Sequence, residues 1–500
     1  MTLKHTASET PVGVVGTGIP GLDDVLSGGL PKNRLHLVVG APGTGKTTLG
    51  LQFLIEGAKR GEHVLLLALS ETTEEVLEIG RSHGWSLDGV TIHEIVPDEE
   101  SLNPAEQYTI FHPSDMELTE TIRAALEPVE QEKPSRVVID SLSELRLLAR
   151  DPLRYRHQML ALKQYFAGRS CTALLLDNAA ERDSGLASVA HTVMDLEYLT
   201  QQFGSDRRRL RVEKMRASQF RGGYHDFDIL RGGLRVYPRL VAAEHEEDLG
   251  HGMVSSGVSE LDQLLGGGVR RGTSVLVSGP AGAGKSAIVT QYAVAAAERG
   301  ERSALYLFDE RAATFMARAE GLGMDVRPHL GTGRMAIAQL DPSQISPGEL
   351  IQDIRHHVEQ NGTRLIVIDS LNGYLNAMAE ERAVVVQLHE LLTYLGTRGV
   401  LTFVTVAHHG MMGSAMETPL DASYLADTVI LLRYFEAMGL VRKAIAVMKK
   451  RTGAHEESLR EFRLGPGIQV GRPLRDFQGV LSGVPTYLGG KELLLDRGEG

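Results

Sequence analysis

The chain has one cysteine, no long apolar run and fewer basic than acidic residues. Its one cysteine, Cys171, excludes a disulfide framework within the chain and fits a reducing compartment. No run of about 18 apolar residues occurs and the first residues lack the apolar core of a signal peptide, so we expect a cytoplasmic protein with no membrane insertion. The net charge of −12 disfavours non-specific attachment to nucleic acid, although the run 206–211 is locally basic.

What the chain does contain is the glycine-rich pattern G-x-x-x-x-G-K-[ST], which occurs twice, at residues 40–47 and 279–286. In this pattern backbone N–H groups wrap the phosphates, the lysine reaches the outer phosphates and the hydroxyl ligates magnesium. Two sites for a nucleoside triphosphate with Mg²⁺ are therefore predicted. Their loop residues are Gly40, Gly43, Thr44, Gly45, Lys46, Thr47 and Thr48 in the first copy and Gly279, Gly282, Ala283, Gly284, Lys285 and Ser286 in the second.

The two loops belong to a longer internal repeat. Residues 17–30 match residues 256–269 at an offset of 239 residues, and the offset persists through both loops and through Glu71 and Glu310. Such self-similarity indicates that a whole domain was duplicated. We therefore predict a first domain over residues 1–245, a second over 246–490 and a short tail over 491–500.

Within each copy, short apolar runs alternate with helical stretches. Residues 36–39, 64–68 and 136–140 are typical of strands, and helices are expected after the first loop and after Thr73. Strands that alternate with helices predict an α/β fold, with a mostly parallel sheet covered on both faces. Ligands of such sheets bind at the carboxyl ends of the strands.

Two aspartates, Asp140 and Asp369, end matching apolar strands in the two copies. A carboxylate in this place can hold magnesium while the loop lysine neutralises phosphate. We therefore predict that Asp140 with Thr47, and Asp369 with Ser286, complete the nucleotide and metal sites. A cap or turn role at the strand end is the alternative.

Hydrolysis or phosphoryl transfer also needs a carboxylate that orients water or accepts a hydroxyl proton. Glu71 follows the second strand of the first copy, and Glu310 has the same place in the second copy, with Asp309 beside it. The second site therefore has two adjacent carboxylates and the first has one. Capping of a helix N-terminus is the alternative role for Glu71 and Glu310.

Later in each copy a lysine and an arginine stand two residues apart on a predicted strand. These pairs are Lys214 with Arg216 and Lys449 with Arg451. Side chains two residues apart share one face of a strand, so each pair could reach the γ-phosphate of a neighbouring subunit as an arginine finger. A solvated strand face is the alternative.

The copies differ between their third strand and the strand that starts at Thr192 or Thr428. The second copy is about seven residues longer there, and the extra material lies within residues 410–424. This segment is dense in hydroxyl side chains and short of regular periodicity. A pure ATPase would have no reason to carry hydroxyls at that one place in that one copy.

These features together resemble the KaiC family of RecA-like ATPases over nearly the whole chain. The resemblance rests on the paired loops, the glutamates after the second strand, the Ile-Asp-Ser strands, the Lys-Met-Arg pattern and the run 221–227. It implies two tandem RecA-like P-loop domains that form stacked rings of six subunits with ATP between subunits. It also implies ATP hydrolysis in the first domain and, in the second, a kinase and phosphatase that act on the protein's own serine and threonine.

The resemblance also assigns the extra segment as the phosphoacceptor loop. Ser423 matches the family's phosphorylated serine, Tyr424 stands in place of its phosphorylated threonine, and Thr418 matches a reserve acceptor. Tyrosine at this place departs from the family and shifts the chemistry towards Ser423 or towards a serine–tyrosine pair. A second departure is Ser70, which replaces a glutamate common in the first ring and leaves Glu71 alone.

The resemblance allows a KaiB-like partner on the first ring, whereas the tail shows no long partner-binding segment, so a KaiA-like activator is not expected. The leading hypothesis is an ATPase, autokinase and autophosphatase in circadian-type or related signalling. The alternative is a RecA-like motor or recombination accessory protein that binds nucleic acid, which the acidic charge disfavours. A third hypothesis is a regulatory scaffold that binds ATP only to assemble.

Overall fold

The computed structural model describes residues 13–95, 113–149, 151–178, 184–201, 204–244, 252–376, 381–408, 424–437, 439–481 and 485–488. The chain divides into two compact units, Met1–Arg239 and Leu240–Gly500. The stretch after Arg239 packs with the second unit, because Leu240 and Ala242 join its core and the Ala242 N–H donates to the Glu390 carboxylate at 3.0 Å.

The first unit alternates strands and helices along the chain. Its strands are β1 (Val14–Val15), β2 (Leu30–Pro31), β3 (Leu35–Gly40), β4 (Val64–Ala68), β5 (Val90–Glu94), β6 (Arg136–Asp140), β7 (Thr172–Asn178), β8 (Thr192–Leu199), β9 (Arg207–Met215), β10 (His225–Leu230) and β11 (Gly233–Tyr237). Its helices are α1 (Leu22–Val25), α2 (Lys46–Lys59), α3 (Thr73–His83), α4 (Pro113–Glu132), α5 (Leu142–Ala149), α6 (Pro152–Ala167) and α7 (Ser184–Val189).

In the described part of this unit, nine strands form one sheet in the order β11-β10-β9-β8-β3-β7-β6-β4-β5. The six strands from β8 to β5 in that order pair in parallel, and β9, β10 and β11 extend the sheet in antiparallel fashion. Strands β4 and β6 are buried along their whole length. This is expected for parallel strands covered on both faces.

The second unit repeats this plan. Its strands are β12 (Met253–Val254), β13 (Val269–Arg270), β14 (Ser274–Gly279), β15 (Arg302–Leu307), β16 (Met335–Gln339), β17 (Thr363–Asp369), β18 (Leu401–Ala407), β19 (Thr428–Ala437), β20 (Leu440–Lys450), β21 (Arg460–Gly465), β22 (Gly467–Pro473), β23 (Phe477–Gln478) and β24 (Thr486–Tyr487). Its helices are α8 (Ser259–Leu264), α9 (Lys285–Glu298), α10 (Ala312–Gly321), α11 (Arg327–Gly331), α12 (Pro347–Glu359), α13 (Leu371–Asn376) and α14 (Glu381–Thr397), and a short 3₁₀ helix covers Ala242–Glu244.

The main sheet of the second unit has the order β16-β15-β17-β18-β14-β19-β20-β21-β22, which is the order of the first sheet read from its other end. Each sheet separates two apolar cores, one on each face. The predicted α/β fold with two tandem domains is confirmed. Cys171 is 2% exposed in one of these cores, and its burial raises the pKa of the thiol to about 12, as expected for an inert apolar residue.

Glycines set the backbone at the start of both loop helices. Gly45 and Gly284 precede α2 and α9 with φ of 95° and 114°, a conformation that other residues avoid. A Cβ on Gly45 would lie 2.6 Å from Ile229 Cδ1, and one on Gly284 would lie 2.7 Å from Phe462 Cε1. Glycine is therefore needed at each place both for the turn and for close packing against the antiparallel part of the sheet.

The helix after the second strand begins as its sequence indicates. Thr72 caps α3: its hydroxyl accepts from the Glu75 N–H at 3.3 Å, and the Glu75 carboxylate accepts from the Thr72 N–H at 2.8 Å. This reciprocal capping satisfies two donors of the first turn and fixes the loop that carries Glu71. No helix in the described residues is long and apolar enough to cross a membrane.

Candidate functional site

The first phosphate loop joins the carboxyl end of β3 to α2. Lys46 is 8% exposed, and its ammonium donates to the carbonyl oxygens of Gly40 at 2.8 Å and Ala41 at 3.1 Å. Burial lowers the pKa of Lys46, whereas the carboxylates of Asp140, Asp177 and Glu71 act to raise it. A buried ammonium that lies among carboxylates at the start of a helix is suited to hold a phosphate chain.

Three oxygen-bearing side chains meet beside this lysine. The Thr47 hydroxyl donates to Asp140 Oδ2 at 2.7 Å, and Thr47 Oγ1 lies 3.4 Å from Glu71 Oε1. Burial raises the pKa of Asp140, and burial together with the charge of Asp140 raises the pKa of Glu71 to about 7. The Thr47 hydroxyl and the Asp140 carboxylate are oxygen donors of the kind that Mg²⁺ prefers, so this donor set fits Mg²⁺.

Our hypothesis that Glu71 is the general base of the first site gives a pH prediction, because the pKa of Glu71 is raised to about 7. A carboxylate must be ionised to accept a proton, so ATP hydrolysis by a Lys285→Ala chain, whose second loop lacks its lysine, should fall as the pH drops through about 7. With Glu71→Gln in the same background, ATP hydrolysis should be slow and its rate nearly independent of pH. Steady-state phosphate release measures both, and a Glu71-containing chain with an unchanged rate between about pH 8 and about pH 6 would contradict this role.

The second loop repeats the lysine geometry. Lys285 is 8% exposed and donates to the carbonyl oxygens of Gly279 and Pro280, both at 2.9 Å. Burial lowers its pKa, and the carboxylates of Asp369 and Asp309 act to raise it. The two loops therefore present their lysines in the same way.

The oxygen cluster differs between the sites. Asp369 accepts a hydrogen bond from the Thr405 hydroxyl on β18. Among the described hydrogen bonds, Ser286 has no counterpart of the Thr47–Asp140 contact. Asp369 and Ser286 still lie at the strand end and helix start predicted for them, so they remain our proposed ligands for Mg²⁺.

The adjacent acids of the second site have separate surroundings. Glu310 is bound in bidentate fashion by Arg318 of α10, with Nε–Oε1 at 3.1 Å and Nη2–Oε2 at 2.8 Å. Asp309 instead accepts a hydrogen bond from Ser370 and is near enough to Lys285 to act on its pKa. Alignment by the repeat pairs Glu71 with Glu310, but Asp309 is the acid that faces the loop lysine.

The different surroundings of the acids at the two sites follow from sequence differences between the two copies. At the offset of 239 residues, Ser70 occupies the place of Asp309 and Ile79 the place of Arg318. The first copy therefore lacks both the second acid and the arginine that would bind the first. Sequence reasoning missed Arg318, although an arginine eight residues after a glutamate, two turns along the chain, is a readable signal.

Sequence reasoning also missed Asp177, at the carboxyl end of β7. It pairs with Arg146 of α5, and its charge acts to raise the pKa of Lys46. Burial raises the pKa of Asp177, and the arginine opposes that rise. A single aspartate that ends an apolar strand was the available signal, the same one that identified Asp140.

The lysine–arginine pairs lie at the other edge of each sheet. Lys214 and Arg216 donate to the Ser188 carbonyl, at 3.4 and 2.9 Å, just before β8 begins. Lys449 donates to the Ala426 carbonyl at 2.7 Å, and Arg451 to the Tyr424 carbonyl at 3.1 Å, just before β19 begins. The two side chains of each pair donate to carbonyls of the same short segment, which is compatible with side chains on one face. Arg216 and Arg451 each stand one residue after the end of their strand and not within it.

Of the predicted phosphoacceptors, Tyr424 is 54% exposed and directly precedes the turn into β19. Ser423 and Thr418 lie outside the described residues.

Two arginines of the basic run of β9 are paired with acids. Arg209 binds Glu197 at 2.7 Å, and Arg211 lies 2.7 Å from Glu213 and 3.5 Å from Asp195. Pairing with carboxylates neutralises the positive potential that a phosphate backbone would need.

Comparison with known proteins agrees with the architecture. A family model of the KaiC ATPase matches residues 15–241 and again residues 254–474. The circadian clock protein KaiC3 of Synechocystis is 27% identical over 487 residues, which cover 95% of each chain. The circadian clock oscillator protein KaiC of Synechococcus elongatus is 27% identical over 506 residues, 98% of this chain and 95% of the relative. With an ATPase domain in each half and two phosphate loops of matching geometry, the chain belongs to the KaiC ATPase family.

Proposed function

We propose that this ATPase hydrolyses ATP at its first site and, at its second, transfers the γ-phosphoryl group of ATP to hydroxyls of the same protein and later removes it. The observation that carries the proposal is the difference between two otherwise matching sites. Only the second copy has the longer segment with Thr418, Ser423 and Tyr424, and only the second copy has the acid pair Asp309 and Glu310.

In the forward step, the acceptor hydroxyl oxygen bonds to the γ-phosphorus, the bond from that phosphorus to the bridging oxygen breaks, and ADP leaves. The hydroxyl proton passes to a carboxylate, for which Asp309 is our candidate because it lies near Lys285. Lys285 offsets the charge of the phosphates. Mg²⁺ would be held by Ser286 and Asp369 and would neutralise phosphate charge when bound.

At the first site the acceptor is water, and Glu71 is our candidate for orienting it. Glu71 lies beside Thr47, and burial with the charge of Asp140 holds its pKa near the working pH. A base with a pKa near the pH of the solution combines a useful ionised fraction with a useful affinity for protons. Ser70 gives this site no second acid.

We further propose that both sites are completed by a neighbouring subunit in a ring of six. Lys214 lies opposite Val193 and Lys449 opposite Val429, near the start of the parallel strands. The loops begin after Gly40 and Gly279, at the other end of those strands and about 13 Å further along. Because each pair lies far from the loop of its own domain, a neighbour's nucleotide is the better target.

The test of the kinase is incubation of the full chain with γ-labelled ATP and magnesium, followed by phosphopeptide mapping of residues 410–433. We expect covalent label on Ser423, with Tyr424 and Thr418 as the other acceptors. ATP hydrolysis without any label would contradict the kinase and favour a ring ATPase or a nucleic-acid motor.

A second arm of this experiment tests the neighbour contact. Arg451→Ala and Lys285→Ala chains should each be poorly labelled alone, whereas a mixture should regain label on the Lys285→Ala chain. This chain presents its own Arg451, with the Tyr424 segment that Arg451 binds, to the intact loop of an Arg451→Ala neighbour. A mixture no better than the separate variants would contradict the proposed contact between subunits.

The relatives are named as circadian clock proteins, and we propose a clock-type or related signalling role for this chain on that basis. A daily rhythm in the phosphorylated fraction of the protein in its cell would support this role, and a constant fraction would contradict it. We include a KaiB-like binding partner in the same proposal. Failure of such a partner to bind the assembled protein in any phosphorylation state would contradict this part of the proposal.

A further inference from the structure

A polar cluster lies at the carboxyl edge of the second sheet, beside the phosphate loop. Ser278 on β14 lies opposite Val406 on β18 and Leu431 on β19. His408 and Arg433 each stand two residues further along, so all three polar side chains lie on one face of the sheet. The His408 N–H donates to the Gly279 carbonyl at 3.2 Å, the same oxygen that accepts from Lys285 Nζ.

Arg433 is the unusual member of this cluster. It is 9% exposed, and its Nε and Nη2 atoms have no hydrogen-bond partner among the described residues. The described residues also give it no ion pair with a carboxylate. Such buried donors of a cation are unfavourable, since burial removes water from Nε and Nη2 and no described residue replaces it. Burial accordingly lowers the pKa of Arg433, although an arginine stays protonated.

The unpaired atoms share one edge of the guanidinium. Nε–H and Nη2–H point in parallel, which is the fork that binds two oxygens of a phosphate or carboxylate. His408 adds a further donor: its Nε2 bonds to the Ser278 hydroxyl and its Nδ1 has no partner in the described structure. A bond donated by Ser278 to Nε2 places the proton of the neutral imidazole on Nδ1.

The sequence of the first copy does not have this set of polar side chains. By register, Val39 and Glu197 are the counterparts of Ser278 and Arg433, and in the sequence Ala179 follows Asn178 as His408 follows Ala407. Glu197 is paired with Arg209 at 2.7 Å. The fold therefore does not require these polar side chains, and they occur only in the copy that has the longer hydroxyl-rich segment.

We propose that Arg433, His408 and Ser278 form a binding site for a phosphate oxyanion beside the second phosphate loop. Arg433 supplies the bidentate fork and the positive charge, His408 supplies one neutral donor, and Ser278 fixes the imidazole. Two sources offer this chemistry, namely free inorganic phosphate and a phosphoryl group attached to a hydroxyl of the protein. The site does not depend on the proposed kinase, because free phosphate would bind to it in a chain that is never labelled.

The test is thermal unfolding of the full chain in excess Mg²⁺ and a non-hydrolysable ATP analogue, with inorganic phosphate added against sodium chloride at equal ionic strength. The analogue fills the positions of all three phosphates at both loops, so the remaining response reports on a separate oxyanion site. We expect phosphate to raise the unfolding temperature of the native chain. Arg433→Gln should weaken the apparent phosphate affinity by about tenfold or more, which is the range for loss of charge-assisted hydrogen bonds.

The unfolding temperature without phosphate separates an effect of the substitution on phosphate binding from an effect on packing. Since Arg433 is a buried charge with unpartnered atoms, Arg433→Gln should be at least as stable as the native chain when phosphate is absent. Lys443→Gln is the matched control, because it removes a cation from the adjacent strand without touching the cluster, and it should keep the phosphate response. Equal phosphate responses in the native chain and Arg433→Gln, or a marked loss of stability in Arg433→Gln without phosphate, would overturn the proposal.

Repeating the measurement after incubation with ATP distinguishes the two sources. Labelled protein should still respond to free phosphate if the site takes the free ion, and should lose that response if its own phosphoryl group fills the site. A chain that binds phosphate but never acquires label would refute the proposed kinase and leave this inference standing. A chain that acquires label but shows no phosphate response that depends on Arg433 would refute this inference and leave the proposed kinase standing.

Discussion

Lys285→Ala is expected to abolish covalent labelling by γ-labelled ATP, with a loss of about 100-fold or more, while Lys46→Ala leaves second-site labelling in place. Lys285 is the buried ammonium of the second loop and donates to two of its carbonyls. Its removal takes away the charge that offsets the outer phosphates during transfer. Lys46 has the same hydrogen bonds in the first loop, so the two variants form a matched pair.

The measurement is label per chain under saturating ATP, with steady-state phosphate release from the same samples. Lys46→Ala should lose most phosphate release, and Lys285→Ala should keep it. Gel filtration in the presence of ATP shows whether both variants assemble to the same size. Persistent label in an assembled Lys285→Ala chain would place the kinase elsewhere.

Asp309→Asn is expected to slow phosphoryl transfer by about 10²- to 10⁴-fold, the range for loss of a general base, whereas Glu310→Gln should have a clearly smaller effect. Both substitutions remove one negative charge and keep the shape of the side chain. Asp309 lies near Lys285, but Arg318 holds Glu310 by two hydrogen bonds. A carboxylate in a bidentate ion pair is a poor proton acceptor, because protonation would break the pair.

A further variant tests whether Arg318 sets this division of roles. Arg318→Ile introduces the residue of the first copy and frees Glu310. In an Asp309→Asn background it should restore part of the lost rate, since a free glutamate then lies beside the position of Asp309. Rapid-mixing measurements of label on a single turnover give the rates. A larger loss in Glu310→Gln than in Asp309→Asn would contradict the assignment.

Much of the fold could be predicted from the sequence because the signals are local or repeated. The run 64–68 became β4, and the run 136–140 became β6, with the same bounds. Three to five consecutive apolar residues, preceded by Gly61 in the first run and by Pro134 in the second, leave little choice of structure. Because the two halves repeat, each strand or helix assigned in one half could also be assigned at the matching position of the other half.

The differences between the two sites could not be read in this way. The repeat aligned Glu71 with Glu310, yet which acid faces the lysine depends on Arg318, which approaches from α10. Arg433 gave no sequence signal, because a basic residue on a strand normally reaches solvent and only the packed sheet shows it buried without a partner. Such properties arise from contacts between elements that are distant in the chain.

The position of Lys449 and Arg451 at the edge away from their own loop has a genetic consequence in the proposed ring. A chain with a defective arginine keeps a sound loop, and the fault appears in the neighbour whose nucleotide it should contact. In a mixed ring, each arginine-defective chain disables the site of a neighbour and keeps its own, whereas each lysine-defective chain disables its own. Alleles at Arg216 and Lys46, or at Arg451 and Lys285, should therefore complement each other in one cell, because a sound loop in one chain and a sound arginine in its neighbour make a complete site.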